Sequence, residues 1–152
     1  MKHREGDLIA LALQGEFDVI VHGCNCFHTM GAGIAKFISA EFPEALAADK
    51  ATPHGSREKM GTISVAAVSR NGLQLTVVNA YTQYNWRGRG MKADYEALRK
   101  CFAEIAARFP QARIGYPMIG AGLAGGDWSV ITPIIDEALA GLDHTLVTLP
   151  AQ

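Results

Sequence analysis

Two glycine-rich segments of this chain are suited to holding an anion. They are Gly31-Ala-Gly33 and Gly120-Ala-Gly122, the second followed by Gly125-Gly126. Because glycine lacks a Cβ, such a loop can approach a ligand closely and adopt positive φ, so several backbone N–H groups can surround one anion. Either segment alone could equally cap a helix or permit close packing. Two such loops facing each other would suit two linked phosphates.

Neither loop matches the common nucleotide-binding fingerprints. No Gly-Lys-Ser or Gly-Lys-Thr follows either one, so the Walker pattern is excluded. Gly120 to Gly125 has the Gly-x-Gly-x-x-Gly spacing, but it lies near the end of the chain instead of opening an N-terminal βαβ unit, which argues against a Rossmann site. The loops therefore predict a diphosphate site of another kind.

Two side chains near these loops could move protons or orient water. His22 precedes the first loop, and imidazole exchanges protons near neutral pH. Asp127 follows the second loop, where a carboxylate could orient a water molecule. Each has a structural alternative, because a strand histidine is often packed in the core and Asp127 could be a helix N-cap. We take His22 and Asp127 as the candidate catalytic residues.

Four alternating residues around the first loop are of types that can bind a metal. His22, Cys24, Cys26 and His28 alternate every second residue, which on an extended strand would place four zinc-type ligands on one face. One straight strand cannot easily wrap a tetrahedron, and the intervening Gly23 and Asn25 favour a turning loop. We therefore predict no metal and no cofactor.

The elements that would position these residues can be read from hydrophobic patterns. Residues 17–22 form a β-rich run that should be a buried strand leading into the first loop. Residues 33–41 should form a helix with Ile34, Phe37 and Ile38 on one face, ending near Pro43. Residues 62–68 and 73–80 flank Asn71-Gly72 and should pair as an antiparallel hairpin.

The second half of the chain repeats the strand, loop and helix order. An apolar stripe from Tyr95 to Phe109 predicts a long helix, and residues 113–119 predict a strand entering the second loop. The following helix could begin at Asp127, which would leave Pro133 inside it, or at Thr132, which would place Pro133 in the first turn. Residues 145–149 should be a last strand, giving a mixed sheet between helices.

Composition places the chain among ordinary globular proteins. The 152 residues carry a formal net charge of −1 with 19% charged residues, so we expect one domain over residues 1–152 that forms a monomer and has no membrane partner. Three cysteines without a disulfide framework, and a Met1 end without a signal-peptide run, predict a cytoplasmic location. The one basic neighbourhood is interpreted as a solvated surface or an anion contact: Arg87, Arg89, Lys92, Arg99 and Lys100.

Four motifs together resemble the macrodomain family over nearly the whole chain. They are Gly6-Asp-Leu8, Val21-His-Gly-Cys-Asn25, Gly31-Ala-Gly-Ile-Ala35 and Pro117-Met-Ile-Gly-Ala-Gly122. The resemblance implies a three-layer α/β/α fold with a mixed, mostly parallel central sheet. Within the family the chain is similar to the ADP-ribose 1″-phosphate phosphatase branch and the terminal ADP-ribosyl-glutamate hydrolase branch.

The resemblance also assigns ligand contacts. Asp7, with Leu8, matches the position that accepts a hydrogen bond from the adenine amino group, although Asp7 could instead be a helix cap. Asn25 matches the asparagine at the distal ribose, although asparagine also serves tight turns. Backbone amides of the two loops would bind the diphosphate: Gly31, Ala32, Gly33 and Ile34 in the first, and Gly120, Ala121, Gly122 and Leu123 in the second.

The activity that the resemblance implies is hydrolysis of ADP-ribose 1″-phosphate or another ADP-ribose derivative. The glutamate hydrolase branch uses a lysine on a central strand and an aspartate after its second loop, where this chain has residues 79–82 and Ala124, so lysine chemistry is doubtful. The alternatives are a non-catalytic reader of ADP-ribose or ADP-ribosylated macromolecules, or a de-ADP-ribosylating hydrolase without the lysine. Residues 81–89, aromatic and basic, either cover the distal ribose or form a surface loop.

Overall fold

The computed structural model of the chain describes residues 1–88 and 90–150. Strands and helices alternate along the chain, interrupted by one hairpin and one pair of consecutive helices. The elements are β1 (Lys2–Glu5), α1 (Leu8–Leu13), β2 (Val19–Cys24), α2 (Gly33–Glu41), α3 (Pro43–Lys50), β3 (Ile63–Arg70), β4 (Leu73–Tyr81), α4 (Tyr95–Arg108), β5 (Arg113–Tyr116), α5 (Trp128–Ala138) and β6 (Asp143–Thr148), with a 3₁₀ turn at Arg57–Lys59.

The six strands form one sheet in the order β1-β6-β5-β2-β4-β3. All neighbouring pairs are parallel except β3 and β4, which form the predicted antiparallel hairpin. Asn71 and Gly72 at its turn have φ values of 47° and 86°, the left-handed conformation that a two-residue hairpin turn requires. Because β2 and β5 are parallel neighbours, the two glycine loops that follow them leave the same edge of the sheet.

Helices cover both faces of the sheet. One core contains α1, α2 and α3 against side chains such as Ile20 and Val77, and the other contains α4 and α5 against Val21 and Val78. Alternate residues of β2 and β4 therefore point into opposite cores, as the pleat of a strand requires. The prediction of a three-layer α/β/α fold with a mixed, mostly parallel sheet is confirmed.

Several local predictions differ from the structure. Phe37 was expected on the buried face of α2 but is 63% exposed, and Ile38 fills the core instead. The strand expected to reach residue 119 ends at Tyr116, because the chain turns at Pro117. Pro43 begins α3 as well as following α2, since proline at the first helical position loses no internal hydrogen bond.

The sequence left open whether α5 begins at Asp127 or at Thr132, and the structure shows the first. Asp127 is the N-cap, and its carboxylate accepts hydrogen bonds from the N–H and Oγ of Ser129 at 2.9 and 2.7 Å. Pro133 consequently lies inside the helix. Among the described residues no helix has both the length and the apolar character needed to cross a membrane.

Candidate functional site

A cleft of about 570 Å³ lies at the carboxyl edge of the sheet, between the loops that follow β2 and β5. Parallel α/β sheets bind ligands at this edge, where strand ends and helix N-termini converge. The lining residues come from both glycine loops and from the chain after β4: Gly23, Cys24, Asn25, Thr29, Gly31, Ala32, Gly33, Ile34, Ala35, Gln83, Trp86, Pro117, Met118, Ile119, Gly120, Gly122, Leu123 and Ala124.

The first loop leaves the N-terminus of α2 without a protein cap. Ala32 is the N-cap residue and has no side-chain acceptor, in contrast to the Asp127 carboxylate that caps α5. The backbone N–H groups of Gly31, Ala32 and Gly33 donate no hydrogen bond to any described residue. Because a helix N-terminus also carries partial positive charge, this loop can accept an anion through several donors at once.

The second loop is shaped by contacts that require glycine. Gly120 has φ of 79°, and a Cβ on Gly126 would overlap the Gly120 carbonyl oxygen. Gly126 N–H donates to that carbonyl at 2.6 Å, which closes the loop. The N–H groups of Gly120, Gly122 and Leu123 donate to no described residue, so they remain available to a ligand.

Ala121 is placed differently from the other residues of the second loop. Ala121 does not line the cleft, and its side chain packs against the core that contains α4 and α5. Its N–H donates to the Met118 carbonyl at 3.1 Å, so the amide assigned to the diphosphate already has a partner. The tight turn after Pro117 is the physical reason.

The two loops face each other across the cleft. A Cβ built on Gly33 would lie 3.3 Å from Leu123 Cδ1, which places the tip of the second loop over the start of α2. A Cβ on Gly31 or on Gly122 would meet no atom within 4 Å. The space between the loops is therefore open at two glycines and bordered by unpaired N–H groups on both sides.

Asn25 lies at one end of the cleft and is held by its own loop. Its Nδ2 donates to the Thr29 carbonyl at 3.1 Å and to Thr29 Oγ1 at 2.6 Å, and its Oδ1 accepts from the Phe27 N–H at 2.8 Å. The side chain is 8% exposed. Both amide donors are used, so Asn25 can offer a ligand one further acceptor site at Oδ1.

Asp7 and Leu8 follow β1 at the same edge of the sheet but do not line this cleft. The Asp7 carboxylate accepts the Ala10 N–H at 3.0 Å, and Leu8 is buried in the core beneath α1. Asp7 is therefore the N-cap of α1. In the strand order β1 is separated from β5 by β6 alone, a distance of about 10 Å at the usual strand spacing.

His22 is buried beneath the cleft instead of lining it. Its side chain is 0% exposed and points into the core of α2 and α3, where Nε2 donates to Asn79 Oδ1 at 2.6 Å. Asn79 is fixed by donating to the Ala45 carbonyl and to Ser64 Oγ. Burial lowers the pKa of His22 to about 4 from 6.5. This placement argues against proton exchange with a ligand in the cleft.

Asp127 also does not line the cleft. It is exposed, its carboxylate is occupied by Ser129, and those hydrogen bonds lower its pKa below the ordinary value. Its own N–H donates to the Tyr95 hydroxyl at 3.1 Å. The residue therefore organises the start of α5, which is the structural role left open by the sequence.

Replacing Asp127 with alanine should destabilise the fold without weakening ligand binding. The variant loses the N-cap of α5, and such a loss typically lowers Tm by about 3 °C in a domain of this size. Thermal unfolding followed by circular dichroism measures the first effect and calorimetric titration the second. Asp127→Asn, which keeps a capping oxygen, should behave as the wild type. An Asp127→Ala variant with unchanged Tm would contradict the capping role.

The cleft contains few groups that could serve as acid or base. Among the described lining residues Cys24 is the sole titratable side chain, and burial raises the pKa of its thiol well above the ordinary range. The four residues considered for zinc do not converge on one point. Cys24 Sγ lies 3.6 Å from His22 Nε2, but Cys26 Sγ donates to the Gln83 carbonyl and His28 Nε2 donates to the Thr52 carbonyl. No group of three potential metal ligands occurs in the part of the chain that the structure describes.

Several cleft residues have no role predicted from the sequence. Gln83 and Trp86 follow β4 and border the Asn25 end, while Met118 and Ile119 line the wall beside the second loop. Trp86 belongs to the aromatic and basic segment 81–89 that was left open between a ligand cover and a surface loop. Arg89 of that segment lies outside the described residues.

Comparison with known proteins gives a consistent family assignment. The macro domain family model matches residues 21–135. An uncharacterized 17.5 kDa protein in the tk-vs intergenic region of Enterobacteria phage T4 is 36% identical over 152 residues, covering 97% of this chain and 95% of that protein.

Solved structures show the same fold. The macrodomain of Thermus aquaticus DarG has a TM-score of 0.76 at 23% identity, covering 98% of this chain and 97% of that one. Thermosipho africanus DarTG, solved in complex with ADP-ribose, has a TM-score of 0.76 at 16% identity, covering 99% of this chain and 42% of that one. The family match, the phage relative and the fold agree, and the chain belongs to the macro domain family.

Proposed function

We propose that this chain binds ADP-ribose in the cleft, with the diphosphate held between the two glycine loops. The observation that carries the proposal is the set of backbone N–H groups on both loops that face one open space and have no described protein partner. Unpaired N–H groups at a helix N-terminus are a ready-made site for phosphate. Two facing sets of donors suit two phosphates joined by one bridging oxygen.

The ends of the cleft fit the two ends of the ligand. Asn25 and Gln83 offer amide groups to ribose hydroxyls at one end. Ile34 and Ala35 line the cleft in the first turn of α2 and pack on the same core as Leu8 of α1. Asp7, which directly precedes Leu8, is exposed. Its carboxylate could accept a hydrogen bond from an adenine amino group while it caps α1. The ADP-ribose complex of the Thermosipho africanus relative supports the same ligand.

The geometry supports binding better than hydrolysis. Efficient general acid–base catalysis needs a group within hydrogen-bond reach of the reacting atoms, and neither His22 nor Asp127 borders the cleft. Among the described residues no lysine, histidine or carboxylate lines it. We infer that the chain recognises ADP-ribose, alone or attached to a macromolecule, and that any hydrolysis is slow.

Isothermal titration with ADP-ribose tests the proposal. We expect a single site with a Kd of about 1–100 µM, equivalent to about −8 to −5.5 kcal/mol. ADP, which lacks the distal ribose, should bind more weakly, and inorganic phosphate should not compete at equal concentration. Absence of heat at millimolar ADP-ribose would contradict the assignment of the cleft.

The phosphatase alternative is tested on the same sample. Incubation with ADP-ribose 1″-phosphate should release little phosphate over the time in which ADP-ribose binding is complete. Fast release, lost in His22→Gln but retained in Asn79→Asp, would show that the buried histidine reaches the ligand and would overturn the non-catalytic interpretation. Fast release unaffected by His22→Gln or Asp127→Asn would also overturn it, and would place catalysis on the neutral groups of the cleft.

A further inference from the structure

The chain carries a row of aromatic rings beside the Asn25 end of the cleft. The Phe27 ring makes edge contacts with His54, Tyr84 and Trp86 at centroid distances of 5.4, 4.9 and 5.9 Å. We call these four residues the aromatic row. Trp86 is 45% exposed and also lines the cleft, so the row continues the cleft onto the protein surface.

Two arginines lie against this row, each stacked on a ring. The guanidinium carbon of Arg57 is 3.8 Å from the Tyr84 ring centroid, and that of Arg87 is 4.9 Å from the Trp86 centroid. A guanidinium lying on a ring directs its N–H donors outward in its own plane. Those donors are therefore presented to solvent at both ends of the aromatic row.

Neither of these arginines is neutralised by a carboxylate. Arg57 and Arg87 form no ion pair within the described residues, whereas Arg4, Arg70 and Arg113 each pair with an acid at 2.6–3.3 Å. His28 adds a ring 5.1 Å from His54. The one exposed acid beside them in the sequence is Glu58. The aromatic row is thus locally basic on a chain whose formal net charge is −1.

We propose that the aromatic row with Arg57 and Arg87 binds single-stranded nucleic acid next to the ADP-ribose cleft. Within the row His54 and Trp86 are exposed, whereas Phe27 and Tyr84 are half-buried against the core, so bases can stack on the two exposed rings. The guanidinium groups of Arg57 and Arg87 can donate to backbone phosphates on both flanks. Charge complementarity favours an anionic partner for the arginines. A nucleic acid also supplies bases that can stack on the rings, whereas a peptide rich in carboxylates would pair with the arginines alone. The inference does not require the proposed function, since the row lies outside the space between the glycine loops.

Fluorescence anisotropy with labelled single strands tests this inference. A DNA or RNA strand of about ten nucleotides should bind weakly at low salt, and affinity should fall steeply as salt rises. Arg57→Gln should weaken binding about five- to tenfold and reduce the salt slope by about 1, because one phosphate contact is lost. Separate titrations with a DNA strand and an RNA strand show which of the two the surface binds more tightly.

Arg108 provides a matched control. It is exposed, stacks on Phe109 at 5.7 Å, and lies at the far end of α4 from the cleft. Arg108→Gln removes the same charge and should leave oligonucleotide binding unchanged. Calorimetric titration with ADP-ribose checks both variants, because Arg57 does not line the cleft and its loss should not alter that affinity.

Three outcomes would overturn the inference. The first is no oligonucleotide binding at low salt by a sample that is folded by circular dichroism. The second is equal weakening by Arg57→Gln and Arg108→Gln, which would indicate net charge alone. The third is tighter binding of an acidic peptide of matched charge, which would assign the surface to a protein partner. A failure of ADP-ribose binding alone affects only the proposed function.

Discussion

Replacing Gly122 with valine is expected to abolish ADP-ribose binding while leaving the fold stable. A Cβ at this position would meet no protein atom within 4 Å, and Gly122 does not have a positive φ. The backbone can therefore accept a side chain there. The added methyl groups would occupy the space between the loops, where the diphosphate is proposed to lie. We expect affinity to fall at least about 100-fold, with stability changed by about 0.5 kcal/mol or less, as for other surface substitutions.

Gly126→Ala is the matched contrast within the same loop. Its Cβ would overlap the Gly120 carbonyl oxygen, so the loop must move, and both stability and affinity should fall. Calorimetric titration and urea unfolding of the two variants separate a blocked cleft from a distorted one. Wild-type affinity in Gly122→Val would show that the diphosphate is not bound between the loops.

Stability should fall as the pH drops below neutrality because His22 is buried in its neutral form. Its pKa in the folded chain is about 4, against 6.5 for an exposed imidazole, with burial as the main cause, partly offset by the hydrogen bond to Asn79 and by the charge of Asp49. Above pH 6.5 both states hold neutral imidazole. Between pH 6.5 and 4 the His22 imidazole is protonated in the unfolded chain but stays neutral in the folded chain. The free energy of unfolding should therefore fall by about 3 kcal/mol between pH 6.5 and 4.

Urea unfolding at about pH 7.5, 6, 5 and 4 measures this effect. The comparison is with His22→Gln, which removes the titration but keeps the other groups, including His144, whose pKa is also lowered by burial. The variant can be less stable at every pH, so the informative quantity is the difference in pH dependence. Equal pH dependence in the two proteins would show that His22 is not buried in its neutral form.

ADP-ribose affinity should not follow that pH dependence. Among the described residues that line the cleft no group titrates between about pH 5.5 and 8, since the Cys24 thiol stays protonated. A binding curve that is flat with pH alongside falling stability separates the role of His22 in folding from any role at the ligand.

Backbone features of the site were predictable from sequence because they depend on local rules. The two Gly-Ala-Gly segments between β-rich runs and amphipathic helices predicted both loops, and the parallel pairing of β2 with β5 then brings them to one sheet edge. Asn71-Gly72 predicted the hairpin for the same reason. The hydrogen bond from the Ala121 N–H to the Met118 carbonyl was not predictable, because it depends on the tight turn after Pro117, which the glycine pattern does not specify.

Side-chain roles were less predictable because they depend on tertiary packing. Ile20 and His22 lie on the same face of β2, and whether that face meets solvent or a helix is decided by the docking of α2 and α3. Asp7 and Asp127 both follow the capping preference for aspartate, which competes with any ligand role. Trp86 lines the cleft from the loop between β4 and α4, and hydrophobic periodicity does not predict the path of a loop.

Backbone amide NMR during titration with ADP-ribose tests the central claim most directly. Hydrogen bonds to phosphate oxygens should shift the amide resonances of residues 31–34 and of Gly120, Gly122 and Leu123 the most, while Ala121, whose N–H is already bonded to Met118, should shift less. A smaller cleft lined by His3 and Arg113 lies at the opposite edge of the sheet, and the largest shifts there would contradict the account. So would unchanged spectra at millimolar ligand.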